Sequence, residues 1–297
     1  MTALGVMRYS GPRTGVFAAG WAVGRMSVRR AWGSTGAPRD RVAPALAIGL
    51  AYVPTIVFIG TRVMGRRAEI GGVDQLAGLG VAVTPSFGQH YLQISLAVLV
   101  VGAFIGPHVL CDDRADGLVE PVQASPLGPL GYLLAKLASL LVVSSVVTVG
   151  PVALLVLGYA SQGAGPVGVA GWATAIGRIL LGGLAVSLLH MTVALAVSAW
   201  STSRAVASAS YLGLFVTSSA AVVLLVSFGD LSNRLGLLNL GLLPYELAAR
   251  IWGEPSAVIL SPRAEVPAAL VVGGSLLWML SAMAVALVGV RRRIWSS

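Results

Sequence analysis

Six stretches of the chain are apolar for long enough to cross a bilayer, and the polar residues gather between them. A helical crossing needs about 20 predominantly apolar residues. Residues 43–61, 91–110, 131–158, 172–200, 205–228 and 266–290 supply such runs. Pro54 and Pro151 fall inside two of them, which membrane helices tolerate when neighbours satisfy the freed carbonyls. Gly102 and Gly106 stand four residues apart in the second run and predict a small-residue face for close helix packing. Residues 229–265 break the pattern. They mix charges of both signs with short apolar patches such as LGLLNLGLLPYELAARIW, which predicts a shallow or re-entrant element on one side of the membrane.

Residues 1–42 carry seven arginines and no compact apolar core of the kind a signal peptide needs. Within them Phe17, Trp21, Gly24, Val28 and Trp32 recur at helical spacing on one stripe. Arg29 and Arg30 face away from that stripe, and Arg25 sits at its edge. Two tryptophans opposite arginines fit a helix lying in the membrane interface; a solvated basic tail is the alternative. The expected organisation is an N-terminal segment, 1–42, followed by a six-helix membrane domain, 43–297.

Composition sharpens this picture. Apolar residues make up 56% of the chain and charged ones only 10%, against about a quarter charged in a soluble domain. Polar groups cannot cover such a molecule, so lipid must. The net charge of +9 comes from nineteen arginines and one lysine against eleven acids. These cations sit at the termini and between apolar runs rather than on one folded face, which excludes a nucleic-acid partner. Six crossings put both termini on one side, and thirteen of the twenty cations fall there. Basic residues mark the cytoplasmic side, so both termini are expected in the cytoplasm of a cell with a plasma membrane. The preference for Arg over Lys points to a GC-rich, bacterial genome. The single Cys111 excludes an internal disulfide and any Cys-x-x-Cys metal motif.

One polar stretch carries candidate chemistry. Residues 111–136 hold four of the eleven acids and the only lysine. Asp112, Asp113 and Asp116 match the Asp-Asp-x-x-Asp pattern that holds magnesium and a diphosphate. Enzymes that act on prenyl or lipid diphosphates within the membrane pair two such clusters, and no second cluster is present. A calcium loop fails because Arg114 stands at a ligand position and no Glu follows at the twelfth. His90, His108 and His190 share no metal-ligand spacing. His90 and His108 are expected at the membrane interface, and His190 and Gln93 are candidates for a polar pathway. No phosphate-binding Gly-x-x-x-x-Gly-Lys-Ser/Thr loop is present, since Lys136 follows GYLLA, and no nucleophile has a base nearby. The chain is expected not to be an enzyme and to hold no cofactor or metal.

Residues 112–136 resemble the cytoplasmic loop of type-2 ABC transporter permeases, the membrane subunits of ABC exporters. In that family acidic and basic residues precede Gly-Thr-Leu-Glu. A short apolar helix follows, then a small residue with Pro, then a Lys that opens the third crossing. This chain has Asp112, Asp113, Arg114 and Asp116, then Gly117-Leu118-Val119-Glu120, Ala124-Ser125-Pro126 and Lys136. It departs from the pattern at Leu118 in place of Thr, at Pro121 within the coupling helix, and at Pro129 where a basic residue is common. The order of crossings and the basic N-terminal helix fit as well.

The resemblance implies an all-α fold with six crossings, an interfacial N-terminal helix and a short cytoplasmic coupling helix. It implies two separate ATPase subunits, which bind ATP and magnesium, and a second permease chain, identical or different, assembled among membrane lipids. The charges of 112–136 would dock on the ATPase surface, and Leu118 and Val122 would fill an apolar cleft there. The cargo would be an amphipathic or lipid-like compound, such as a drug or secondary metabolite, as in multidrug efflux. A membrane enzyme with magnesium at Asp112, Asp113 and Asp116 is the rival reading, and a scaffold without transport is the third.

Overall fold

The computed structural model describes residues 15–33, 38–70, 86–118, 122–227, 233–254 and 266–293. The protein is an all-α membrane protein, with six helices long and apolar enough to cross a bilayer and no strand among the described residues. Helix α1, Val16–Ala31, precedes the first crossing. The crossings are α2 (Val42–Ile70, apolar over Val42–Met64), α3 (Ser95–Ala115), α4 (Pro129–Ala160), α5 (Gly168–Trp200), α6 (Arg204–Ser227) and α8 (Ala268–Arg293). A short helix, α7 (Leu243–Trp252), lies between the last two.

Two boundaries differ from the hydrophobic pattern in ways that matter. α2 continues as helix past residue 61, because its polar end contains no proline. The second crossing begins with a separate turn, His90–Gln93. It passes through a π turn at Val101–Ile105 and continues to Ala115. Asp112, Asp113 and Arg114 therefore belong to the helix and not to a loop.

α5 is the centre of the bundle and packs against α3, α4, α6, α7 and α8. In α3 and α5, 72% of the apolar span is buried; in α2, α6 and α8 it is 22% or less, which leaves these three facing lipid. Small residues let the central helices approach closely. A Cβ on Gly106 would come within 2.8 Å of the Ala194 Cβ, and one on Gly183 within 2.5 Å of the Val149 side chain. Gly102 lies against the Tyr211 ring. The two glycines of α3 thus serve different neighbours, α6 and α5. Across the α4–α5 seam the Thr148 and Ser187 hydroxyls are 3.0 Å apart.

Within 229–265, the described residues centre on α7. Leu243 through Ala249 and Trp252 are all buried, so the helix sits inside the bundle against α5 and α8. It ends at Gly253, whose left-handed φ of 74° closes a Schellman motif through Glu254 N–H to Ala249 O (3.0 Å). That turn aims the Glu254 carboxylate at the chain ahead of α3. There it accepts hydrogen bonds from the Ser86 hydroxyl (2.7 Å) and the N–H groups of Gly88 (2.9 Å) and Gln89 (3.0 Å).

Candidate functional site: a buried ion cluster at one end of the bundle

α3 ends at Gly117, the second left-handed glycine that shapes this structure (φ 67°). Leu118 N–H donates to Asp113 O (2.9 Å), the long bond of a Schellman motif. Helical geometry up to Ala115 turns the consecutive carboxylates of Asp112 and Asp113 about 100° apart. They reach different partners.

Asp113 faces α1 and α4. Its carboxylate takes Lys136 Nζ at 2.6 Å, the Tyr132 hydroxyl at 2.7 Å and Arg30 Nη1 at 3.1 Å. Lys136 also donates to Ser27 Oγ (2.8 Å), and its ammonium lies 5.3 Å from the Tyr132 ring centre. Asp113 and Lys136 are only 4% and 3% exposed, so each supplies the opposite charge that makes burial of the other tolerable. Asp112 faces α6, where it pairs with Arg204, and receives His108 Nδ1 at 3.0 Å. Arg114 extends to α5 and donates from Nη2 to the carbonyls of Ser198 (2.7 Å) and Ser201 (2.8 Å). A cation there satisfies orphan carbonyls at the negative end of the α5 dipole. Arg30 completes the cluster by reaching the half-exposed Asp116 (3.0 Å).

The end of α3 is therefore tied to α1, α4, α5 and α6. The residues expected to dock on a partner divide accordingly. Asp112, Asp113 and Lys136 are turned inward, because each finds its counter-charge within the chain. Asp116, Gly117 and Pro126 are exposed, with Ala124 beside them. Leu118 and Val122 do not project outward; with Ala19, Val23 and Met26 of α1 they line an apolar groove of about 270 Å³. The Ser125 hydroxyl accepts the Leu127 N–H (3.3 Å) and helps turn the chain into α4. Val122 and Gln123 are helical, while Glu120 and Pro121 lie outside the described residues.

Arg30, Ser27, His108, Tyr132 and Arg204 were not marked by any motif. The stripe read on α1 divides. Phe17 and Trp21 are strongly exposed, as a membrane-facing stripe requires, while Gly24, Val28 and Trp32 turn to the bundle, where Ser27 and Ala31 join them. The signal present was the spacing of the small residues Gly24, Ser27 and Ala31, which lets α1 lie close to the α4 backbone: a Cβ on Gly24 would meet Ala135 O at 3.6 Å.

The pathway candidates separate too. His190 is fully buried. Its Nδ1 lies 2.6 Å from the Tyr211 hydroxyl, its Nε2 3.2 Å from the Tyr245 hydroxyl, and its ring stacks on Phe215 at 4.6 Å. It joins α5, α6 and α7. Gln93 is exposed on the turn before α3. His90, near the start of the second crossing, is buried within the protein, with Nε2 2.8 Å from the Thr55 hydroxyl of α2.

Among the described residues no group of three His, Cys, Asp or Glu side chains is placed to hold a metal ion. Asp112 and Asp113 diverge and are each neutralised by cations, the reverse of a converging carboxylate site. Fold and cluster together define a multi-pass, all-helical membrane protein with its N-terminal helix locked onto the bundle. No protein-family model matches the chain, and no curated protein matches it.

Proposed function

We propose that the chain is the permease subunit of a type-2 ABC exporter. It works with a second permease chain and with separate ATPase subunits that carry ATP and magnesium. The observation that carries this reading is the ion cluster at the end of α3. It ties the segment between the second and third crossings to four helices, so a push on its exposed residues, Asp116, Gly117, Ala124 and Pro126, is delivered to the whole bundle. A bistable bundle driven through one differential contact is the physical content of ATP-coupled alternating access. The resemblance of residues 112–136 to the family's loop supports the same assignment, with the correction that Asp112, Asp113 and Lys136 brace the loop from inside. The cargo is an amphipathic or lipid-like compound. The protein lies in a bacterial plasma membrane with both termini cytoplasmic, as its cation distribution favours. The ion pairs of Asp112 and Asp113 favour the transport reading over the enzyme reading.

The test is co-expression with the P-loop ATPase encoded nearest this gene. A stable complex is expected, with ATP-dependent export in proteoliposomes. Ala124→Arg, on the exposed turn, is expected to lower transport at least about tenfold without changing the thermal stability of the purified chain. Absence of any complex, or undiminished transport by that variant, overturns the reading.

A further inference from the structure

A cavity of about 590 Å³ lies between α1, the start of α2, α3 and the start of α6. Its walls differ in chemistry. Arg25 and Arg29, four residues apart on α1, and Asp40 give it charge, while Met26, Pro44 and Phe104 give it apolar surface. Phe104 of α3 is 46% exposed, which leaves the apolar side of the cavity open.

The charges of the cavity are not equally committed. Arg30 and Arg204, which also line it, are held by Asp113, Asp116 and Asp112. Among the described residues Arg25 and Asp40 make no ion pair or hydrogen bond. An uncommitted guanidinium and an uncommitted carboxylate thus line one space without pairing with each other. A soluble phosphate compound would gain nothing from the apolar wall. An anionic headgroup would use the arginines but meet Asp40 unfavourably. A headgroup with a phosphate and a primary ammonium satisfies both, and its acyl chains match the exit past Phe104. Basic pockets between helices at the membrane surface hold phospholipid headgroups in this manner, and an interfacial helix such as α1 lies at headgroup depth.

We infer that this cavity holds an aminophospholipid of the leaflet in which α1 lies, its phosphate on Arg25 and Arg29 and its ammonium on Asp40. The lipid wedges between α1 and the crossings and shares a wall with the ion cluster, so it steadies the same end of the bundle. The inference does not depend on the transport reading, because its readout is lipid binding.

The experiment measures binding of phosphatidylethanolamine, phosphatidylglycerol and phosphatidylcholine with matched chains to the delipidated full chain by native mass spectrometry. Phosphatidylethanolamine is expected to bind tightest. Asp40→Asn is expected to weaken it about fivefold, as for one charge at a membrane surface, while sparing phosphatidylglycerol. Arg25→Ala with Arg29→Ala is expected to weaken both, phosphatidylethanolamine by about thirtyfold. Equal binding of the three lipids by the unmodified chain overturns the proposal, whether or not the variants fold. So does displacement of the lipid by soluble phosphoethanolamine at equal concentration, which would mark a site for the free phosphate compound.

Discussion

Asp113 and Lys136 show how a charged residue survives in an apolar chain. Lys136 is the only lysine of the protein and Asp113 one of eleven acids, yet both are nearly completely buried and meet at 2.6 Å. Loss of one member of such a pair leaves an uncompensated charge and costs about 3–5 kcal/mol, whereas an apolar replacement of both is far better tolerated. Lys136→Met is therefore expected to destabilise the purified protein by about 3 kcal/mol, since Arg30 and Tyr132 remain at Asp113. Asp113→Leu alone, which strands the lysine, should cost more. The double variant should cost less than the sum of the two. Reversible unfolding in detergent measures this cycle, and strictly additive losses would show that the pair is not coupled. In the sequence these residues stood out as rare charges, but their direction did not. Whether a carboxylate points inward depends on where its helix stops, and α3 runs five residues past the end of the apolar run before Gly117 closes it.

At the scale of elements, the glycines of α3 were legible as packing positions while their partners were not. Gly102 lies against Tyr211, and Tyr211 in turn holds His190, so a side chain at 102 acts on a hydrogen bond in the middle of the bundle. Gly102→Ala is expected to push the Tyr211 ring off His190 and to cost about 1–3 kcal/mol, the range for overpacking a tight interior. Gly213→Ala is the matched control. Gly213 is also helical, but a Cβ there meets nothing within 4 Å, so alanine should be neutral or slightly stabilising. Equal melting temperatures for the two variants would remove the argument. The six crossings were readable because apolar length alone sets them. The burial of α7 in the bundle was not, because its short apolar patches fit a helix lying on the surface as well as one packed inside. Only contacts remote in sequence decide between these: Tyr245 with His190, and Glu254 with residues 86–89.

For the whole molecule the open dimension is the direction in which the bundle faces, and the charge distribution makes a definite forecast. The turn after α4 and the turn after α5 lie at opposite ends of α5, whose 33 residues span about 50 Å, more than the roughly 30 Å hydrocarbon core. Ser161 is exposed on the first turn and Thr202 on the second. The second turn adjoins Arg204 and the ion cluster, where α1 contributes Arg30. Basic residues concentrate on the cytoplasmic side, so Thr202 should be inside the cell and Ser161 outside. In intact cells a membrane-impermeant maleimide is expected to label Ser161→Cys at once and Thr202→Cys only after permeabilisation. The native Cys111, buried beside Arg114, should stay silent and serve as the internal control. The reverse labelling order would place the ion cluster outside the cell, beyond reach of any ATP-consuming partner. That outcome would remove the exporter reading while leaving the six-helix fold and its packing untouched.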